Sequence, residues 1–355
     1  MNECWIDGLR VLSLNIPYSQ HMSYLRRILS FIRFMILATW VSLRQGRADV
    51  IFATSTPLTI GIPAMITSWI KRRPFVFEVR DLWPEVPIEL GILRGWLPVT
   101  VARNLERIIY RNAQHIIALS PGIREAIIRT GVAPEKVKVI PNACDNDLFD
   151  VSLHVGEVFR AQHPEIGSNR PLVVYTGAFG VVNHLEYLIR LAHHVCTLDD
   201  QIAFLLLGTG SRIEELRSLA EELQVLGRNL WIMDAIPRKE MPAVLSTATL
   251  ATSIFLANPV IWSNSANKFF DALAAGKPIA INYEGWQAAL LRETGAGLVL
   301  DAQDIPEAAN QLVQALHDPV WLQRASQKAR QLAHEQFSRD HLVHALEAEL
   351  LAAVS

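Results

Sequence analysis

Eleven short apolar runs, separated by longer amphipathic stretches, constrain this chain more than any other feature of its 355 residues. They occupy residues 9–16, 49–54, 74–79, 115–120 and 137–141, then 171–177, 202–208, 229–234, 249–255, 278–282 and 297–300. Each is rich in Val, Ile, Leu or Phe and is bounded by breakers, the pattern of a strand buried on both faces. Helical patterns lie between them, and such alternation means parallel sheets covered by helices. The polar stretch 150–171, with Pro and Gly, reads as a junction. The expected fold class is α/β: two Rossmann-like, doubly wound parallel-sheet domains facing across a cleft, over residues 1–160 and 170–336. A closing helix over 337–355 is expected to pack back on the first. Ligands of such sheets sit outside the carboxyl ends of the strands, so the expected site lies in that cleft.

Composition narrows the function classes. Half the chain is hydrophobic and 19% is charged, which excludes a disordered chain. Cys4, Cys144 and Cys196 are far apart and odd in number; they fit a reducing cytoplasm better than a disulfide framework or a zinc site. A net charge of −2 argues against nucleic acid as a partner. Residues 1–150 hold 18 Lys and Arg against 13 Asp and Glu; of the chain's 33 and 35, that leaves 15 and 22 for the remainder. The basic front half either faces something anionic or is a solvated basic face. Residues 28–43 form the most apolar stretch, but 16 residues with Arg33 inside are too few to span a bilayer. Arg26, Arg27, Arg33, Arg44 and Arg47, with Tyr24, Phe31, Phe34 and Trp40, fit a helix over 24–47 lying in a membrane interface. A buried domain helix with Arg ends is the alternative.

The run Ser263-Asn-Ser-Ala-Asn-Lys-Phe-Phe-Asp-Ala-Leu-Ala-Ala-Gly-Lys-Pro278 carries the clearest chemistry. Ser265 is expected to cap a helix that Gly276 and Pro278 end. Phe270, Leu273 and Ala274 form its apolar face, and Asn267 and Asp271, four apart, share the other. A helix amino end at a sheet's carboxyl edge attracts anions, and Lys268 adds charge. Asp271, one turn in, is placed to accept from two vicinal hydroxyls of a ribose. Phosphate at the cap and sugar at the carboxylate describe a nucleoside diphosphate; a capped helix with a solvated Asp is the alternative.

This run resembles the nucleotide-binding signature of retaining glycosyltransferase family 4, which has the GT-B fold. Within it, the chain is most similar to bacterial enzymes of O-antigen, capsule and colanic-acid polysaccharides, including the fucosamine-transferase-like group. FVFEVRDLWPE (75–85), ALSPGIREAI (118–127), VIPNACDNDLF (139–149), YTGAFG (175–180) and LGTGSR (207–212) continue the likeness in order. The resemblance makes the C-terminal domain the donor side. Gly177 and Gly180 then let backbone approach the diphosphate, Gly208 and Gly210 do so near the base, and Asp271 stands where the family carries a ribose-holding Glu. Ser263 replaces the Glu that touches the donor sugar in relatives, leaving Ser263, Asn264 and Ser265 for that contact. The basic pair of relatives is absent from Val181-Val182-Asn183-His184, so diphosphate charge falls to Lys268 and to helix amino ends, with Asn183 lining the turn.

Arg80, Asp81 and Glu85 follow the 74–79 strand, where relatives commonly carry a His near the reacting sugar. They are expected to orient the acceptor hydroxyl and steady the leaving phosphate; an ion pair bracing the loop is the alternative. Ser120 and Arg124 are lesser diphosphate candidates, and Asn142 and Asp145 are expected to shape a hinge. No metal site and no cofactor are expected, the nucleotide-sugar donor being a substrate. Relatives open with a strand, a Gly-rich turn and a helix ahead of the segment where this chain starts. The resemblance therefore implies that something on the order of 60–90 residues, at the scale of strand-helix-strand units, is missing. The expected activity is retaining transfer of a sugar to a glycan, or lipid-linked glycan, acceptor at the inner face of a bacterial membrane. A non-catalytic scaffold and a nucleotide-sugar epimerase are the rival readings.

Overall fold

The computed structural model describes residues 1–17, 22 and 24–355. The side chains of Tyr24 and Arg27, invoked above for the membrane-facing segment, lie outside the described part. The chain divides into two compact units, Met1–Ile140 with Ala345–Ser355, and Pro141–His344.

The first unit opens with an antiparallel hairpin, β1 (Asn2–Ile6) and β2 (Leu9–Ser13). Asp7 and Gly8 have φ of 49° and 80°, the two positive values a two-residue hairpin turn requires. This corrects the reading of 9–16 as a buried strand of a parallel sheet: among the described residues β2 pairs only with β1, and it is exposed or half-buried. Next come α1 (Tyr24–Arg44), β3 (Ile51–Thr54), α2 (Gly61–Lys71) and β4 (Phe75–Val79). They are followed by α3 (Glu85–Glu89), α4 (Trp96–Asn112), β5 (His115–Ala118) and β6 (Val137–Val139). The four later strands form a parallel sheet in the order β3-β4-β5-β6. Phe75, Val76 and Phe77 bury both faces of β4. Gly61 lets α2 approach α4, since a Cβ there would stand 2.6 Å from Ile109. In the closing residues of this unit, Glu349 Oε2 lies 2.8 Å from His115 Nδ1. Among the described residues no helix is long and apolar enough to cross a membrane.

The second unit holds β7 (Leu172–Ala178), β8 (Ala203–Thr209), β9 (Leu230–Met233), β10 (Leu250–Ser253), β11 (Ile279–Ile281) and β12 (Gly297–Val299). They form one parallel sheet in the order β12-β11-β10-β7-β8-β9. Helix Glu186–Leu198 buries Leu188, Leu191 and Val195 in its core, each contributing ~1.5–3 kcal/mol. The polar stretch 150–171 is folded into this unit. Its helix Leu153–Gln162 packs on helix Met241–Thr247 through Gly156, whose Cβ would lie 2.9 Å from Ser246 Oγ. Arg160 there donates to Thr247 Oγ1 and to the carbonyls of Gly167 and Arg170. The chain runs outward from β7 through β8 and β9, then returns to the other side of β7 as β10. The strand order thus switches between β7 and β10, the place where such sheets bind ligands.

Candidate functional site

Beyond the carboxyl end of β7, Gly177 takes φ +140° and the chain turns through Gly180 to Asn183. Beyond β10, a loop carries Ser263, Asn264 and Ser265 into the helix Asn267–Ala274. Lys268 joins the two loops. Its Nζ donates to Tyr175 Oη at 2.7 Å and Asn183 Oδ1 at 2.9 Å, and stands 4.3 Å and 5.0 Å from the centres of the Tyr175 and Phe255 rings. Lys268 is half-buried as a whole, but this surrounding of rings and neutral oxygens strips water from the ammonium and pushes its pKa down to about 7. At Gly177 the φ of +140° strains any other residue, and a Cβ would also crowd Lys268 Cε at 3.3 Å. Gly177, Asn183 and Lys268 are therefore brought together, with Gly180 starting the turn. Gly208 faces Gly177 in register, and a Cβ on it would overlap the Gly177 carbonyl oxygen. Gly210 does the same beneath Phe179. These two glycines let the turn after β7 lie flat on β8.

The 263–271 segment departs from expectation at Ser265 and Asn264, and at Asp271 it goes against the alternative of a solvated carboxylate. Ser265 does not cap the helix, which starts after Ala266 without a side-chain cap. Its hydroxyl instead accepts from the Asn142 amide N–H at 3.3 Å, and its carbonyl accepts from the Asn142 side chain. Asn264 turns inward on its own loop, accepting from the Ala266 N–H at 3.2 Å and donating to Ile261 at 3.0 Å, rather than presenting its amide outward. Asp271 is not a solvated carboxylate. It is 6% exposed, and Arg238 donates to both its oxygens at 2.8 and 2.9 Å. Asp271 in turn raises the pKa of Arg238 through those hydrogen bonds. Asn267 is exposed, and Ser263 is half-buried. Arg238, in the turn after β9, was not found from the sequence. Its position in Ile236-Pro237-Arg238 carries no local signal of a partner so far along the chain.

In the first unit, Arg80 and Asp81 follow β4. Thr56 Oγ1 donates to Asp81 Oδ2 at 3.1 Å, and the Arg80 N–H donates to Ser55 Oγ at 3.0 Å, tying this loop to the one after β3. Both residues are exposed. Among the described residues the Arg80 guanidinium has neither ion pair nor hydrogen bond. Glu85 does not join them: its carboxylate takes two hydrogen bonds from Arg103 of α4, at 3.0 and 3.1 Å. The ion pair bracing this segment is therefore Glu85–Arg103. Ser120 caps helix Pro121–Arg129, and Arg124 donates to the Val137 and Pro134 carbonyls, so its charge serves the fold. Asp145 pairs with Arg339 at 2.5 Å. Among the described residues no group of three His, Cys, Asp or Glu is placed to hold a metal ion.

A glycosyl transferase 4-like domain matches residues 2–143, and a glycosyl transferases group 1 domain matches residues 159–332. The chain belongs to the glycosyltransferases. This glycosyltransferase is 24% identical over 297 residues to the alpha-maltose-1-phosphate synthase of Mycolicibacterium smegmatis. It is 22% identical over 275 residues to the putative colanic acid biosynthesis glycosyl transferase WcaI of Escherichia coli. The alignments cover 79% and 76% of this chain, and 74% and 65% of those relatives. The solved structure of HepE from Anabaena, in complex with UDP and glucose, superposes with a TM-score of 0.73 at 20% identity. That match covers 94% of this chain and 84% of HepE. The fold is of the GT-B class, as the resemblance of the sequence implied.

Proposed function

We propose that this glycosyltransferase moves a sugar from a nucleotide-sugar donor to a hydroxyl of a glycan acceptor, with the second unit binding the donor and the first the acceptor. One observation carries the reading: the Lys268 ammonium stands at the switch point of the sheet with only neutral partners among the described residues. A donor diphosphate lying over the Gly177 turn supplies the missing anion. Asp271 holds the ribose through the lone pairs that Arg238 leaves free, a carboxylate having about four acceptor sites. Arg80 and Asp81 serve the acceptor and the leaving phosphate. The UDP in the HepE structure supports the donor class.

WcaI's name, that of a putative colanic acid biosynthesis glycosyl transferase, supports a place in polysaccharide synthesis; the lipid-linked acceptor and the retention of anomeric configuration rest on the family resemblance of the sequence alone. Peripheral contact with the inner face of a bacterial membrane, through α1, completes the proposal. Calorimetric titration with UDP-sugars and GDP-sugars tests it. Lys268→Ala is expected to weaken donor binding ten- to a hundredfold, the value of a charge-assisted hydrogen bond. Arg80→Ala is expected to lower turnover more than binding. Saturable donor binding with neither transfer nor hydrolysis would favour the scaffold reading, and no binding of any nucleotide would end the proposal.

A further inference from the structure

The helix Asn267–Ala274 has Lys268 at its amino end, on the carboxyl edge of the second unit's sheet. Its other end passes through Gly276 and Lys277 straight into β11, and so lies at the amino edge. A hollow of about 120 Å³ opens there, with Asn146, Asp150, Lys277, Arg330 and His334 in its lining. Drug-sized ligands fill pockets of ~300–1,000 Å³. This hollow suits something smaller, a small anion or the anionic head of a small ester.

Its cations are held in place without being neutralised. Lys277 Nζ donates to the Ser246 carbonyl at 2.7 Å. Burial, and after it the charge of Arg330, pushes the Lys277 pKa down to about 8. The two positive charges are therefore close enough to oppose one another. Arg330 lies across Gly276, whose φ is +63° and where a Cβ would come within 2.2 Å of Arg330 Nε. A guanidinium has five N–H donors; among the described residues those of Arg330 have neither ion pair nor hydrogen bond. His334, four residues on in the helix Pro319–Glu335, shares the face of Arg330. Asp150 is the one acidic residue of the lining, and it pairs with neither Lys277 nor Arg330.

Asn146 makes a second, independent demand. Its Nδ2 donates to the Ala333 carbonyl at 3.1 Å, which fixes which way the amide faces. Its Oδ1 is buried and accepts from no donor among the described residues. Leaving a buried acceptor unpaired is costly. The bond from Lys277 to Ser246 serves the carboxyl end of the helix Met241–Thr247. No such service to the fold accounts for the Arg330 donors or for Asn146 Oδ1.

We propose that this hollow binds a phosphate group that brings a hydroxyl with it. Lys277 and Arg330 take the anionic oxygens, and the hydroxyl donates to Asn146 Oδ1. Inorganic phosphate keeps such a proton at neutral pH, and the phosphate monoester of a polyol carries hydroxyls on its carbon chain. Sulfate has the charge and the shape but no donor. The site stands at the opposite end of the helix from Lys268, and it does not rest on the function proposed above.

Calorimetric titration of the full chain at neutral pH with inorganic phosphate, glycerol phosphate and sulfate tests this. Saturable binding of phosphate or glycerol phosphate is expected at millimolar concentration or below. Sulfate should bind about tenfold more weakly, for want of one hydrogen bond to a buried acceptor. Tighter binding of glycerol phosphate would make a monoester the natural ligand, and tighter binding of phosphate the free anion. Arg330→Gln should weaken binding about tenfold, the loss of a charge-assisted hydrogen bond. Asn146→Leu should abolish the preference over sulfate, and Lys268→Ala should leave phosphate binding intact; thermal melts confirm that each variant folds. Sulfate bound as tightly as phosphate would overturn the proposal. So would binding lost with Lys268→Ala and kept with Arg330→Gln, or no saturable binding of either phosphate.

Discussion

On the proposed reading, Lys268 makes donor binding a proton-linked event. Burial among rings and neutral oxygens has moved its pKa down to about 7, so above that pH the free protein holds a neutral amine. A bound diphosphate favours the ammonium and raises the pKa. Binding therefore takes up a proton, and affinity should fall by up to tenfold per pH unit between about pH 7 and the pKa of the complex. Titrations in buffers of different ionisation enthalpy would reveal the uptake; a flat profile from pH 7 to 9 would remove Lys268 from the diphosphate. Asp271 calls for a different test. Arg238→Ala leaves its carboxylate buried without a cation and should cost about 2 kcal/mol in urea unfolding. That is less than a fully buried pair would lose, because Arg238 is half in water. Asp271→Asn in the same chain should recover part of it. Lys268 stood out in the sequence as a charge at the amino end of a helix on the sheet's carboxyl edge, and the structure does place it at that helix start. Arg238 did not, because side chains from separate loops meet only once the sheet has formed.

At the scale of elements, two glycines hold the turn after β7 against β8. Gly208→Ala would drive a methyl into the Gly177 carbonyl, so we expect a loss of about 2 kcal/mol, in the range of overpacked cores. Donor affinity should fall as well, since the displaced turn carries Asn183 away from Lys268. A thermal melt and a titration on the same preparation separate the two effects; an unchanged melting point would show that the strand can yield. The six strand runs of the second unit were legible because each is continuous, apolar and bounded by breakers. The run 9–16 has the same composition yet forms half of a hairpin. Its cue was the Asp7-Gly8 pair, a turn signal that outranks apolar content. Composition also misread 150–171: Val155, Val158 and Phe159 give its helix an apolar side, which a count of polar residues hides.

Across the whole molecule, two buried ionisable groups give the units opposite responses to pH. Glu106, 7% exposed on α4, has its carboxyl raised to about 7, first by desolvation and also by the charge of Glu85; the nearby Tyr110 hydroxyl and the charges of Arg107 and Arg103 act against this. Between about pH 4.5 and 7 the folded unit then holds a proton that the unfolded chain has released. Its stability should fall by about 3 kcal/mol as pH rises through that window, and level off above it. Lys268 has the opposite sign. Between about pH 7 and 10.5 the unfolded chain carries a proton that the folded second unit lacks, so that unit gains stability as pH rises. Scanning calorimetry should therefore show the transition of the first unit moving down from pH 5 to 7.5, and that of the second moving up from pH 7.5 to 9.5. Glu106→Gln should flatten the first slope and leave the second intact, whereas Lys268→Met should reduce the second slope and leave the first, the remainder of the second belonging to Lys277, whose pKa burial pushes down to about 8. If each substitution flattened both slopes equally, the units would unfold as one cooperative body, and neither slope could be assigned to its own buried group.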